Sequence, residues 1–323
     1  MDVEIKLSVY YTEYEPFHPE LIKIYDNVFN FVNDATVGPY RNEVVAIVTT
    51  TSSIYVDEKM MKSFPSLKLI CTSSVGYDHI DVKAAKRLGL PVGFVPFVQN
   101  EVVADHALAL LLASARRVVE ADKIVRSPDT KEMYPFHHFM ALSVSGTNMG
   151  IIGMGRIGME VAKRAAGFGM KILYHNRNQK SKEDELSVGA QYEPALISLL
   201  QKSDFIVLLA PGYKENYHMI GRKQFSEMKN TSVFINMSRG VLVDQDAMVD
   251  ALKSNRIAHA GLDATDPEPL PRDHPLLSLS NVTLTPHCAG AVMAVRQKQC
   301  YITIENILAG VQGKPLVHLV EIS

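Results

Sequence analysis

Three short segments carry side chains suited to proton transfer and anion binding. They are Asn236-Met237-Ser238-Arg239-Gly240, Gly261-Leu262-Asp263-Ala264-Thr265-Asp266-Pro267-Glu268-Pro269 and Thr285-Pro286-His287-Cys288-Ala289-Gly290. Arg239 offers a planar, permanently charged fork that matches a carboxylate. Histidine is the side chain whose charge changes closest to neutral pH, and a neighbouring carboxylate supports the charged form of such a ring. Taken singly, each residue has an ordinary reading: a surface ion-pair partner, a polar residue in a proline-rich turn, a satisfied loop histidine. Together, each at or just after the end of an expected strand, they lie where ligands sit in open α/β sheets.

A fourth segment, Gly153-Met154-Gly155-Arg156-Ile157-Gly158, is a G-x-G-x-x-G. The pattern alone is weak. Between a strand expected over residues 149–152 and a helix expected over residues 156–168, it reads as a dinucleotide pyrophosphate site. Gly153 permits the tight turn, Gly155 lets the backbone approach the pyrophosphate, and Gly158 allows close helix–strand packing. The helix start at Arg156 and Ile157 brings free N–H groups and positive dipole to the anion. The next strand ends Tyr174-His175-Asn176-Arg177, with no acid placed to bind a ribose 2′-hydroxyl. A carboxylate would repel a 2′-phosphate, whereas Arg177 attracts one. Neutral Asn176 and cationic Arg177 therefore select NADP(H) as the preferred cofactor, with NAD(H) an admissible second.

Positioning these residues requires alternating strands and helices. In the first hundred residues, strands are expected over 5–11, 44–49, 67–72 and 91–94, and helices over 57–63 and 81–88, the latter capped by Asp81. One long helical pattern covers residues 101–126, with Val103, Ala107, Leu110, Leu111 and Val118 at helical spacing. A second alternating run then starts at Asn148. Its strands are expected over 149–152, 171–175, 205–209, 232–236, 258–262 and 282–285, and its helices over 156–168, 193–201, 223–228 and 245–254. A helix over 291–312 closes the chain. Such alternation indicates parallel sheets with helices on both faces.

Composition excludes several other classes. A chain of 323 residues is about two domains at roughly 150 residues each. Apolar residues make up 47%, enough for a sizeable core and against wholesale disorder. The formal charge of −2 lacks the basic excess of a nucleic-acid binder, so no nucleic-acid partner is expected. The apolar stretch 107–115 is too short to span a bilayer, and the charged opening MDVEIK is not a signal peptide. No membrane partner and a cytoplasmic location are expected. Cys71, Cys288 and Cys300 have no ligand-like or disulfide-like spacing, and His137-His138 stands without an acidic cluster, so no metal is expected.

With these motifs the chain resembles the D-isomer-specific 2-hydroxyacid dehydrogenases, most of all their glyoxylate/hydroxypyruvate reductase branch. Val75-Gly76-Tyr77-Asp78, Val103-Ala104-Asp105-His106, the Gly153–Gly158 loop, Phe234–Gly240, Gly261-Leu262-Asp263 and Pro286-His287 carry the likeness. It extends from the Ser74-Val75-Gly76 turn to Ala309-Gly310. The resemblance implies a Rossmann cofactor domain, residues 101–290, inserted into a flavodoxin-like substrate domain formed by residues 1–100 and 291–323. It implies hydride transfer to a small 2-oxo acid such as glyoxylate or hydroxypyruvate, giving the D-2-hydroxy acid. His287 is then the proton donor, Glu268 its carboxylate partner, and Arg239 the clamp on the substrate carboxylate. Ser74, Val75 and Gly76 would hold the other side of that carboxylate. Asp263 would anchor the nicotinamide carboxamide, and Pro211, Ser238, Ala289 and Gly290 would also border the cofactor. Family members pair as homodimers around the long helix at 101–126, and the active site lies in the cleft between the domains.

Some positions depart from the family pattern. After Ala210-Pro211, where Leu-Thr-x-x-Thr is usual, the chain reads Gly212-Tyr213-Lys214-Glu215-Asn216. Val103 stands where Thr is frequent. Cys288 follows His287 where an aliphatic residue is common, and reads as a small buried filler. Asp105-His106 reads as part of the helix rather than as a catalytic dyad. The chain has no Trp against 13 Tyr and 12 Phe, so the aromatic stretch 134–142 offers Tyr134, Phe136, Phe139 and Met140 where a partner-subunit Trp walls the pocket of animal reductases. The rival reading is a coenzyme-sensing binding protein like the C-terminal-binding corepressors, which share the fold and the Arg/Glu/His set. Those proteins carry a 2′-hydroxyl-binding acid where this chain has Asn176-Arg177. Formate dehydrogenases use Gln in place of Glu268, and phosphoglycerate dehydrogenases usually carry a further C-terminal domain.

Overall fold

The computed structural model describes residues 6–12, 25, 27–50, 54–130 and 139–321. The expected strand start at residue 5, and Tyr134, Phe136, His137 and His138, lie outside the described residues. The chain divides into two compact units, Met1–Gln99 with Ala291–Ser323 and Asn100–Gly290.

The first unit holds β1 (Leu7–Tyr11), β2 (Phe29–Val32), β3 (Val44–Thr49), β4 (Leu69–Thr72) and β5 (Val92–Gly93), ordered β2-β1-β3-β4-β5 with parallel pairing throughout. This is the flavodoxin-like order. β3 and β4 are buried along their whole length, the pattern of a parallel sheet covered on both faces. Helix α1 (Glu58–Lys62) is capped by Asp57, whose Oδ1 accepts Met60 N–H at 2.8 Å. α2 (Val82–Arg87) is capped by Asp81 in the same way at 2.9 Å. Each such cap is worth ~1 kcal/mol. The closing helix of this unit, Met293–Val311, buries Cys300, Ile304 and Ile307 against β3 and β4.

The second unit begins with α3 (Asn100–Ala115) and α4 (Val118–Arg126). The sequence pattern predicts one helix over 101–126; the structure breaks it at Arg117, which is left-handed at φ 53°. The guanidinium of Arg117 explains the break. It donates to Glu120 at 2.6 and 2.8 Å and to the Met140 carbonyl at 3.0 Å, and lies 4.2 Å over the Phe139 ring. Leu142 N–H then closes on the Ala115 carbonyl at 2.9 Å. The expected dimerisation helix is thus two helices joined at a residue that ties down the returning chain.

Seven strands follow: β6 (Asn148–Ile152), β7 (Lys171–His175), β8 (Ala190–Tyr192), β9 (Phe205–Leu208), β10 (Val233–Asn236), β11 (His259–Leu262) and β12 (Val282–Leu284). Their order is β12-β11-β10-β9-β6-β7-β8, all parallel, the doubly wound dinucleotide-binding arrangement extended by one strand. One face packs α3 and α5 (Arg156–Gly167) through Ala107, Leu111, Val161 and Ala165. The other face packs Leu199, Phe225, Met248 and Leu252. Fully burying each large apolar side chain contributes roughly 1.5–3 kcal/mol relative to exposure. Both units are α/β layers around all-parallel sheets, which is the fold class expected from the sequence. Among the described residues, no helix is long and apolar enough to cross a membrane.

Candidate active site

β6 sits at the point where strand order reverses, so its exit loop opens into a crevice. Gly153 there has φ +99°, and a Cβ would lie 2.6 Å from Ala210 N. A Cβ on Gly158 would lie 2.8 Å from the Gly153 carbonyl oxygen, whereas Gly155 faces open space. Two glycines are thus required by packing, and the middle one leaves room for an anion at the start of α5, beside Arg156 and Ile157. Asn176, just past β7, grips this loop through both backbone polar groups of one residue, Met154. Its Oδ1 accepts Met154 N–H at 2.7 Å and its Nδ2 donates to the Met154 carbonyl at 3.3 Å. The Asn176 carbonyl in turn accepts the Tyr192 hydroxyl at 3.1 Å. Arg177 is exposed and has no hydrogen bond or ion pair among the described residues, leaving its guanidinium available.

The exits of β9 and β10 are knotted together. Ser238 Oγ donates to the Ala210 carbonyl, and Asn236 Oδ1 accepts Ser238 N–H at 3.0 Å. Asn236, 1% exposed, also donates to the Arg239 carbonyl at 3.0 Å. Pro211 is exposed, and its carbonyl accepts Asn216 Nδ2 at 2.9 Å. Arg239 is therefore presented on a braced turn. Gly240 lets the backbone of Thr265 and Asp266 pack directly on that turn. Gln245 completes the brace by accepting Asp266 N–H at 3.1 Å.

Glu268 is held by Thr265 N–H, which donates to its Oε1 at 2.8 Å. Its Oε2 lies 2.9 Å from His287 Nδ1. The pair is about one-third exposed on each side, 28% for His287 and 30% for Glu268. With Nδ1 turned to the carboxylate, Nε2 is left for a ligand; it has no partner among the described residues. His287 adopts φ +50°, a left-handed conformation unusual outside glycine.

Asp263 explains how that conformation is held. It is 4% exposed, and its Oδ1 accepts the Thr285 hydroxyl at 2.6 Å and Cys288 N–H at 2.9 Å. Its Oδ2 accepts Ala289 N–H at 3.1 Å. The expected cofactor anchor thus has a task of its own, fixing the loop that carries His287, Ala289 and Gly290. One lone pair on Oδ2 remains for an external donor. His106, on α3, adds a further bond, its Nε2 lying 3.0 Å from Thr285 Oγ1. Asp105 turns the other way and pairs with Arg164 at 2.6 Å.

Cys288 is half-buried rather than fully buried as expected. Burial first, and the Asp263 charge second, push its thiol pKa up, which favours an inert thiol. His106, Asp263 and Cys288 bring ligand-type atoms within 4.8 Å of one another. Here the carboxylate is committed to three donors and the thiol is kept protonated, so the trio acts as a hydrogen-bonded anchor.

In the first unit, the turn after β4 supplies Ser74, Val75 and Gly76. Ser74 Oγ donates to the Gly76 carbonyl at 2.8 Å and lies 2.6 Å from Thr72 Oγ1. Ser74 is thereby used internally, while the N–H groups of Val75 and Gly76 have no acceptor among the described residues. Sequence reasoning missed the bracing residues Asn236, Gln245, Thr285 and His106. Asn236, Thr285 and His106 stand inside motifs without a role being marked for them, and Gln245 stands outside any, because their bracing arises only where separate strand ends meet.

Residues 108–289 match the family model for the D-isomer specific 2-hydroxyacid dehydrogenase NAD binding domain. The glyoxylate reductase of Korarchaeum cryptofilum is 44% identical over 259 residues, 80% of this chain and 77% of that protein. The glyoxylate reductase of Thermococcus litoralis is 42% identical over 275 residues, 84% of this chain and 82% of that protein. Among solved structures, the NADPH-dependent glyoxylate/hydroxypyruvate reductase of Sinorhizobium meliloti, in complex with NADP and malonate, superposes with a TM-score of 0.87 at 29% identity. It covers 98% of this chain and 97% of that one.

Proposed function

Because this chain belongs to the D-isomer specific 2-hydroxyacid dehydrogenase family, we propose that it reduces glyoxylate or hydroxypyruvate with NADPH, giving the D-2-hydroxy acid where the product is chiral. The observation that carries the reading is the 2.9 Å His287–Glu268 pair, past the carboxyl ends of the same parallel sheet whose strands lead into Arg239 and the Gly153–Gly158 loop.

The loop fits a dinucleotide, since the open space at Gly155 is the cradle that a Cβ would fill. Gly153, Gly155, Gly158, Arg156 and Ile157 would hold the pyrophosphate, Arg177 the 2′-phosphate, and Pro211, Ser238, Asp263, Ala289 and Gly290 the nicotinamide half. Held there, the coenzyme would be the source of hydride for the carbonyl carbon. Arg239 clamps the substrate carboxylate and polarises the carbonyl, and the N–H groups of Val75 and Gly76 are of the kind that binds a carboxylate. Glu268 accepts Nδ1–H and orients the ring, so that the doubly protonated imidazole passes its Nε2 proton to the carbonyl oxygen as negative charge develops there and is left neutral, with Nδ1–H still on Glu268. A small anion captured locally by one guanidinium also fits the chain's near-neutral charge.

The same reading includes a homodimer. α4 and the chain returning to it expose Val118 at 53%, Val125 at 79% and Met140 at 71%, side chains that a second copy would cover.

The test follows NADPH absorbance with a panel of 2-oxo acids, with chiral analysis of the glycerate formed from hydroxypyruvate. Consumption of NADPH with D-glycerate as product supports the reading. Coenzyme binding without reduction of any 2-oxo acid would favour the corepressor-like alternative.

A further inference from the structure

We propose that Gly212 is a positioning residue for Arg239, setting affinity for the substrate carboxylate from the loop after β9. The inference rests on the 2-oxo acid reading of the site. β9 and β10 are neighbours in register, Leu208 beside Asn236, so their exit loops run side by side. A Cβ built on Gly212 would lie 2.6 Å from Arg239 Cγ, 3.2 Å from its Cβ and 3.7 Å from its Cδ. Carbon atoms pack at about 3.5–4.0 Å, so the first of these is a firm overlap. The nearest neighbours are all in the Arg239 stem, and none is a backbone atom.

Neither backbone is free to give way. On one side, Asn236 holds the Arg239 carbonyl and Ser238 N–H, and Ser238 Oγ holds the Ala210 carbonyl. On the other, Asn216 holds the Pro211 carbonyl. The conflict therefore falls on the arginine side chain. Its Cγ is placed by χ1 alone, and χ1 moves between staggered wells about 120° apart rather than by small steps. A change of well at the first torsion swings the guanidinium, three bonds further out, away from its present position. Gly212 is not among the glycines with positive φ, so alanine fits its backbone and the added methyl group is the whole perturbation.

Gly212→Ala is expected to raise KM for glyoxylate about 10- to 100-fold, the range for a lost charged hydrogen bond. Affinity for NADPH and the thermal midpoint should be unchanged. Binding of oxamate to the NADPH-loaded protein, read by calorimetry, should weaken in parallel with KM, giving a readout independent of turnover. Gly212→Ala with wild-type KM and wild-type oxamate affinity would overturn the proposal, as would an equal loss of NADPH affinity. A wild-type protein that neither reduces a 2-oxo acid nor binds oxamate would instead refute the functional reading beneath it.

Discussion

Asp263→Asn is the substitution whose consequences the structure defines most fully. The carboxylate accepts three hydrogen bonds, from Thr285 Oγ1, Cys288 N and Ala289 N, and is buried where water cannot replace them. Asparagine keeps one oxygen. With that oxygen in the Oδ1 place, its amide would face Ala289 N–H donor to donor. The loss of that bond costs about 1.5–3 kcal/mol, and the other two weaken by about half on losing the charge. Relief from burying a carboxylate offsets part of this, so the lower end, ~3 kcal/mol, is the expected result. In a unit of this size each kcal/mol moves the midpoint by roughly 2–4 °C, giving a fall of about 6–12 °C. Catalysis should suffer with stability. His287 holds φ +50° because the two residues after it are pinned, and a released loop relaxes towards ordinary backbone angles. Misplacement of a reacting group by about 1 Å costs on the order of 10²-fold in rate. Scanning calorimetry and steady-state kinetics with NADPH and glyoxylate read both effects. A midpoint within about 2 °C of wild type, together with unchanged kcat, would refute the role assigned to Asp263.

Other expectations follow from the same geometry. Glu268→Gln keeps the size of the His287 partner and removes its charge, and should lower kcat about 10- to 100-fold, part of the roughly 10²–10⁴-fold that acid–base catalysis supplies; unchanged kcat would remove the pair from the chemistry. Arg177→Ala should weaken NADPH binding about 10- to 100-fold and leave NADH unaffected, and equal use of both coenzymes by the wild type would contradict the assignment. His259 has its pKa lowered by burial and then by Arg117, so the folded state favours its neutral form more than the unfolded chain does. The unfolded chain therefore takes up the proton first, so stability is undiminished above about pH 6.5 and falls as pH drops below it; His259→Gln should flatten the decline in thermal midpoint as pH falls below about 6.5. Val125→Glu should convert a dimer to monomers in sedimentation velocity, and a wild type that sediments as a monomer would dispose of the dimer.

The strand ends were legible because buried parallel strands such as Val44–Thr49 and Phe205–Leu208 are continuous apolar runs closed by turn residues. The Asp81 cap was legible because a short acid before an apolar-periodic segment has one favourable use. The break at Arg117 was not. Residues 101–126 contain neither Gly nor Pro, and the left-handed turn is stabilised by Glu120, Phe139 and Met140, which a local pattern does not connect. β2 and β8 were missed as strands of 4 and 3 residues, and the helix Lys182–Val188 as a charged segment with little apolar face. At the site, His287, Glu268 and Arg239 could be named from residue type and strand ends. The loop-anchoring work of Asp263 could not, since it depends on Thr285 and the backbone of Cys288 and Ala289 folding back onto a different strand end. Gly212 drew notice only as a departure from a pattern, and acquired a physical meaning through its distance to the Arg239 stem.

On the proposed mechanism, His287 delivers a proton to a 2-oxo acid held by Arg239. The most direct measurement is kcat for glyoxylate reduction by NADPH in wild type and His287→Ala, with NADPH affinity measured alongside. A loss of about 10²-fold or more in kcat with coenzyme binding intact is expected. Near-wild-type turnover in His287→Ala would contradict it.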